Sequence, residues 1–365
     1  MIEGRPRSRR LPSLDLLRGL TVLGMIVVNA TAGVAHRDGP VFPLLLHSEW
    51  AGFTIADAVF PAFIVMLGVS IAFSSQAREG PVGPILGRAA RLILLGLLLS
   101  NIFWLYDMSE YQPRLPGVLQ RIGIVYAATA LVYRAAGWRA RLIVAALLLL
   151  LYWPLCLLPS PDGLATDLRV PGHSIVSWCD RVVLGDLRFV KGPEGFDPEG
   201  VLGNLPALAE ALIGTLAGDW LRRNRPPRDA ARPMAMAALA MIGAGLAWGL
   251  VFPIVKALWT SSFVFLSAGV ALLGLAGFHR LFDGRDGSGR RGGLLGSFGR
   301  NAIAAYTLHE LMAFILTADA MQWPFRHLAP LTGTRVAALA PVLIFTALVW
   351  WPIAAMDRRG WYWTI

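Results

Sequence analysis

The sequence predicts an all-α, polytopic transmembrane helical bundle of about ten spans with both termini cytoplasmic, and three observations carry that prediction. The 365 residues are 56% hydrophobic and only 15% charged, with a mean hydropathy of +0.57, which is too little charge for a soluble chain of this length. Apolar stretches of roughly 20 residues, enough to cross a bilayer as a helix, recur along the whole chain. Most of the 33 basic residues fall on alternate connections between those stretches, which assigns these connections and both chain ends to the cytoplasm.

The first span, 14–34, follows a basic start (Arg5, Arg7, Arg9, Arg10) with no small-residue cleavage site, so it reads as an anchor and not as a cleaved leader. The second, 53–76, contains Pro61 and Gly68, both tolerated where neighbouring helices satisfy the freed backbone groups. Arg78 precedes the third, 86–106, which carries Arg88 and Arg91 at its start, and the fourth, 117–136, carries Arg134 at its end. Arg139 and Arg141 begin the fifth, 139–159, and the polar stretch 160–200 after it is an extracytoplasmic loop. Arg222 and Arg223 flank the end of the sixth, 201–222; Arg228 and Arg232 precede the seventh, 233–252; Arg280 ends the eighth, 259–281. The Gly-rich segment 282–295 lacks the phosphate-loop pattern and a preceding strand, and reads as a cytoplasmic linker. The ninth and tenth spans are 296–317 and 335–356, with Arg358 and Arg359 beyond them. No polar stretch is long enough for a separate soluble unit, so 1–365 reads as one transmembrane domain.

The net charge of +10 reports membrane topology and not nucleic-acid binding, because the arginines are distributed between apolar segments. Cys156 and Cys179 are too few for a disulfide framework; they read as packed thiols, with pairing on the outer side the alternative. The tryptophans near span ends (Trp104, Trp153, Trp259, Trp323, Trp361, Trp363) read as interfacial anchors. No Cys/His cluster has zinc spacing, so no metal is expected.

The polar residues inside or beside the spans are the functional candidates, since membrane burial of such groups is costly. His47 stands in H-S-E-W-A-G-F-T-I-A-D-A-V-F-P, just before a span that carries Asp57 within its apolar run, and Asn29 lies near the outer end of the preceding span. Asp15 and Arg18 share one helical face at the inner end of the first span, as an ion pair or with Arg18 at an anionic ligand. Arg121, about one turn inside the fourth span, is expected to line a polar cavity. Arg300, Asn301, Tyr306, His309 and Glu310 suggest a second polar wall, with His309 a rival base. Asp197 and Glu199 in F-D-P-E-G read as caps of the following helix or as a carboxylate pair for a cationic ligand.

The sequence resembles the heparan-alpha-glucosaminide N-acetyltransferase-like family of transmembrane acyltransferases, including bacterial members connected with N-acetylglucosamine. The fragments that carry the resemblance, in the family's order, are R-L-P-S-L-D-L-L-R-G-L (from Arg10), V-V-N (to Asn29), the His47 block, P-G-V-L-Q-R-I-G (from Pro116), C-D-R-V-V-L-G-D (from Cys179), F-D-P-E-G-V-L-G (from Phe196), P-I-V-K-A-L-W-T-S-S-F-V (from Pro253) and R-N-A-I-A-A-Y-T-L-H-E (from Arg300). The resemblance implies a multi-pass protein of the bacterial inner (plasma) membrane. It would move acetyl from cytosolic acetyl-CoA, a co-substrate, to the amine of a glucosamine-type sugar on the other side. It makes His47 the catalytic histidine, with Asn29 at the family's asparagine, and the animal relative suggests a homodimer. The chain departs from the animal enzyme in lacking a lumenal N-terminal domain and a leading span, and in having Val255 where P-x-N-K carries asparagine.

The chemistry follows from the residues as well. A neutral imidazole attacks a thioester to give an acyl-imidazole, or deprotonates an ammonium so that the amine attacks directly. Asp57 or Glu49 would hold one tautomer, and Asn29 would stabilise the oxyanion. Arg18, Arg121, Asn301 and Tyr306 are the expected donor-binding residues. Glu49, Trp50, Asp197, Glu199 and His309 are the expected acceptor-binding residues, with membrane lipid as the surrounding partner. The alternative is an amino-sugar permease, which should show two related halves with matching broken helices; the His47 block has no counterpart in the second half.

Overall fold

Proline and polar caps set where the helices begin. Pro12 opens α1 (Pro12–Asp38), a first-turn position where its missing N–H is no loss. Thr54 and Asp57 form a reciprocal capping box at the start of α2 (Ile55–Phe73). A computed structural model describes residues 11–223, 227–283, 293–363 and 365, with the backbone alone for 36–38 and 227–229. Among these residues the chain continues through α3 (Ser75–Glu79), α4 (Gly83–Ser100), α5 (Ile102–Tyr106), α6 (Val118–Ala135), α7 (Trp138–Cys156), α8 (Ile175–Leu184), α9 (Asn204–Arg223) and α10 (Pro227–Gly249). It ends with α11 (Ser261–Phe282), α12 (Gly293–Arg300), α13 (Ala302–Met312), α14 (Asp319–Thr332), α15 (Thr334–Ala337) and α16 (Leu339–Arg358). The described residues contain no strand; an isolated antiparallel bridge joins Ala51 to Val255.

The all-α reading is therefore met, with changes to its elements. Among the described residues, seven helical segments are long and apolar enough to cross a membrane, where about ten spans were expected. The expected spans 117–136 and 201–222 form α6 and α9, whose apolar runs are interrupted by Gln120, Arg121, Glu210 and Asp219. The expected span 296–317 breaks at Asn301 between α12 and α13. The third expected span breaks at Asn101, whose side-chain amide donates to Leu97 O within α4 and to Arg114 O beyond it (both 2.8 Å) and accepts from Arg114 N (2.7 Å). Helix α14 was not anticipated. The basic start through Arg10 and the Gly-rich residues 284–292 lie outside the described residues, and Gly293–Leu295, expected in the linker, already belong to α12.

Glycines let the central helices touch backbone to backbone. A Cβ on Gly68 would lie 2.0 Å from Ala211 O, and one on Gly214 would lie 2.2 Å from Val65 O, so α2 and α9 cross with no side chain between them. Gly19 and Gly299 do the same for α1 and α12. The ends are tied by ion pairs: Arg141 to Asp219 at 2.5 Å, with Tyr133 donating to the same carboxylate at 2.8 Å, and Arg300 to Asp357 at 2.5 and 2.6 Å. Both cysteines are free. Trp259 is no interfacial anchor, being fully buried, and Trp153 packs on Trp248 and Phe252 inside an aromatic cluster.

Candidate active site

The two ends of one cavity differ in charge, and the helices α1, α2, α4, α6 and α13 enclose it. At one end its lining includes His47, Asn29, Glu199 and Lys256; at the other Arg18, Ser70, Arg88 and Arg300. Between them the walls are largely apolar, with Phe60, Phe63, Leu67 and Ile122. The cavity volume is about 400 Å³. Along α2 alone the lining runs from Ala56 to Ile71, a rise of about 22 Å at roughly 1.5 Å per residue.

His47 is ordered from below by Asp57. Its Nδ1 lies 2.9 Å from Asp57 Oδ1, while Asp57 Oδ2 accepts from the backbone N–H of Ser48 (3.1 Å) and Thr54 (3.0 Å) and from the Thr54 hydroxyl (3.1 Å). Asp57 is fully buried and sits within the apolar segment Ile55–Phe73 as expected, in the first turn of α2 at the positive helix end. A carboxylate in this place accepts the Nδ1 proton and leaves the Nε2 lone pair available. The His47 side chain remains 43% exposed. Asn29 faces the same space from α1.

Lys256 completes this end, and the sequence reading missed it. Its Nζ lies 3.0 Å from His47 Nδ1, 3.3 Å from Nε2 and 3.6 Å from Asp57 Oδ1. The P-I-V-K fragment was the available signal, but only the fold pairs it with a residue 209 positions away. Burial lowers the Lys256 pKa below the usual lysine range, opposed by the carboxylates of Asp57 and Glu199. Two backbone contacts hold its loop to the His47 loop, the Ala51–Val255 bridge and a 2.9 Å bond from Gly52 N to Ile254 O.

Several expected site residues lie elsewhere. Arg121 is 1% exposed and absent from the cavity wall, with its guanidinium 4.7 Å over the Trp259 ring and one bond to Gly200 O at 3.2 Å. An aromatic face, and not a cavity, accommodates this charge. Asn301 is fully enclosed, its Oδ1 accepting from Trp363 N at 3.2 Å. His309 is buried against Phe345, while its neighbours Tyr306 and Glu310 line the cavity. Glu49 is exposed outside the cavity. Trp50 fastens the His47 loop to the 160–200 segment by donating to Leu168 O (3.0 Å) and packing edge-on against Phe196.

The Asp197 and Glu199 carboxylates neither cap α9, which starts at Asn204, nor stand free. Arg114 donates to both oxygens of buried Asp197, at 2.6 and 3.1 Å, and also to Glu199. These carboxylates outweigh the burial that disfavours the guanidinium charge, so the Arg114 pKa is raised. Asp197 is consumed by this pairing and by Phe189 N and Glu199 N, whereas Glu199 still borders the cavity. Arg18 pairs with Asp15 at 3.1 Å, donates to Ser70 Oγ at 2.9 Å, and lines the cavity.

The profile described as "Acyltransferase domain" matches residues 11–355. Heparan-alpha-glucosaminide N-acetyltransferase of Mus musculus is 28% identical over 268 residues, 60% of this chain and 40% of that protein. The Homo sapiens protein of the same name is 28% identical over 263 residues, 58% of this chain and 38% of that protein. The chain thus spans about two fifths of the length of the curated relatives it matches. With seven segments fit to cross a membrane and a match over nearly its whole length, the chain belongs to the acyltransferase domain family, and the resemblance read from its motifs is borne out.

Proposed function

We propose that this protein is a transmembrane acetyltransferase that moves acetyl from acetyl-CoA to the amine of a glucosamine-type sugar, with donor and acceptor approaching from opposite ends of the cavity. The observation that carries the reading is the single cavity joining His47 to the arginine end. A CoA thioester has anionic phosphates, an amphiphilic arm and a reactive carbonyl at its tip. Arg18 and Arg88 suit the phosphates, since guanidinium groups match phosphate oxygens, and the apolar walls suit the arm. The arginine end faces the cytoplasm on the charge rule, which puts His47 on the extracytoplasmic side of a plasma membrane and both chain ends inside.

In this reading Asp57 fixes the ring of His47, and Nε2 acts at the acyl carbon as nucleophile or at the acceptor amine as base. Asn29 donates to the developing oxyanion. Glu199, at the cavity edge, meets the cationic amino sugar. The whole chain acts as one domain, in lipid, and as a homodimer.

Purified protein incubated with labelled acetyl-CoA and glucosamine tests this. Transfer of label to the sugar, abolished in His47→Ala, is the expected result. Uptake of unmodified glucosamine by vesicles without acetyl-CoA, unaffected by His47→Ala, would instead establish the permease reading. A labelled His47 peptide after donor alone would assign the nucleophile role; label that appears only on the sugar would assign the base role.

A further inference from the structure

We propose that Lys256 is a second catalytic side chain, whose ammonium binds the oxygen of the acyl carbonyl as it becomes an oxyanion beside His47. The inference rests on the acyl-transfer reading and adds a residue to it. Lys256 Nζ lines the cavity within 3.0–3.3 Å of the two His47 ring nitrogens. A carbonyl carbon within bonding approach of Nε2 therefore has its oxygen within reach of Nζ.

The loop around Lys256 is built to hold a charge in place. Val255 N donates to Thr260 Oγ1 at 3.1 Å, and Thr260 N returns to Val255 O at 3.2 Å. Trp259 adopts φ +53, a left-handed conformation unfavourable for so bulky a residue. It is kept there by full burial, by donation from Nε1 to Glu210 Oε2 at 2.9 Å, and by Phe60 and Phe263 packed edge-on. Backbone strain retained beside a cavity, with the surroundings over-determining it, fits a positioned group better than a tether. The Lys256 side chain is itself only 18% exposed, so its field is weakly screened.

The step balances without another reactant. As nitrogen attacks the thioester carbon, the C=O π pair moves onto oxygen and meets the Lys256 ammonium. When the C–S bond breaks, that pair returns to the carbonyl and the thiolate leaves. Lys256 keeps its three protons throughout. If His47 is the attacking group, the acylated ring carries the positive charge beside Asp57.

Diethyl pyrocarbonate tests this without an acceptor, because the histidine attacks its carbonyl and expels ethyl carbonate. The rate of modification at His47, read by peptide mass spectrometry on full-length protein in detergent, is expected to fall by about tenfold or more in Lys256→Gln and to stay near wild type in Lys256→Arg. Acetyl transfer in Lys256→Gln is expected to lose about 10²- to 10³-fold in kcat, the usual cost of one oxyanion donor, with donor KM unchanged. A His47 modification rate in Lys256→Gln equal to or above wild type would overturn the role, as would an equal loss in Lys256→Arg at an unchanged unfolding midpoint. If Lys256→Gln does not fold, the Lys256→Arg modification rate decides: near wild type supports the role, and a marked loss contradicts it. Wild type that transfers no acetyl yet shows the Lys256-dependent rate would refute the acetyltransferase reading and leave the Lys256 assignment standing.

Discussion

Asp57 and His47 meet at 2.9 Å across ten residues of chain, and the same carboxylate caps the helix that follows. One side chain thereby couples the start of α2 to the orientation of the imidazole. Asp57→Asn keeps the shape but removes the charge and can reverse the bond to Nδ1. Acyl transfer is expected to fall by about 10²- to 10⁴-fold in kcat, and stability by roughly 1 kcal/mol through the weakened cap. Kinetics and thermal unfolding of the same preparation check both; unaltered kcat would remove Asp57 from the chemistry.

Arg121 is expected to matter for folding and not for donor binding. Its guanidinium lies over Trp259 inside the bundle, and Nε and Nη1 have no hydrogen-bond partner. Arg121→Ala forfeits a desolvated cation–π contact worth about 2 kcal/mol and leaves a hole beside it. The unfolding midpoint should drop while the folded fraction keeps its KM for acetyl-CoA. A raised KM at an unchanged midpoint would return Arg121 to the donor site.

Gly68→Ala should separate α2 from α9. The added Cβ would sit 2.0 Å from a backbone oxygen that cannot swing away, and overpacking of this kind costs about 1–3 kcal/mol or more. Gly87→Ala, where a Cβ meets nothing within 4 Å, is the matched control and should be stabilising by up to about 1 kcal/mol, since alanine favours the helix. Equal unfolding midpoints for the two variants would contradict the close crossing.

The segment that holds Asp180 should give the protein a pH-dependent stability. Burial raises the Asp180 carboxyl to about 6 from its usual 3.8, against two backbone N–H bonds from Asp197 and Val201 that favour its charge. A folded-state pKa above the unfolded one means that the native state holds the proton more tightly. This contribution is full below about pH 4 and is lost as pH rises through about 6, amounting to roughly 3 kcal/mol at about 1.4 per unit. Denaturation midpoints measured between pH 4 and 7 should show this fall, and Asp180→Asn should flatten it. A slope equal in wild type and variant would assign the dependence to other groups.

Much of the bundle is legible in the sequence because hydropathy and arginine placement act locally. His47, Asn29 and Arg18 could be read as site candidates because polar groups in apolar surroundings stand out. Lys256 was not, since its approach to His47 depends on packing across 209 residues, and the P-I-V-K fragment does not by itself name that partner. Arg121 shows the converse: its cost in a span was legible, but an aromatic face and a cavity relieve that cost equally well. The breaks at Asn101 and Asn301 depend on partners, Arg114 and Trp363, that arrive from other parts of the chain.

The most direct measurement uses proteoliposomes with labelled acetyl-CoA on the side of the Arg18 end and glucosamine on the side of His47. Labelled N-acetylglucosamine appearing only in the sugar's compartment, and absent with His47→Ala, is the expected result. Product formed only when donor and sugar share one compartment, or formed equally by His47→Ala, would contradict transfer through this cavity.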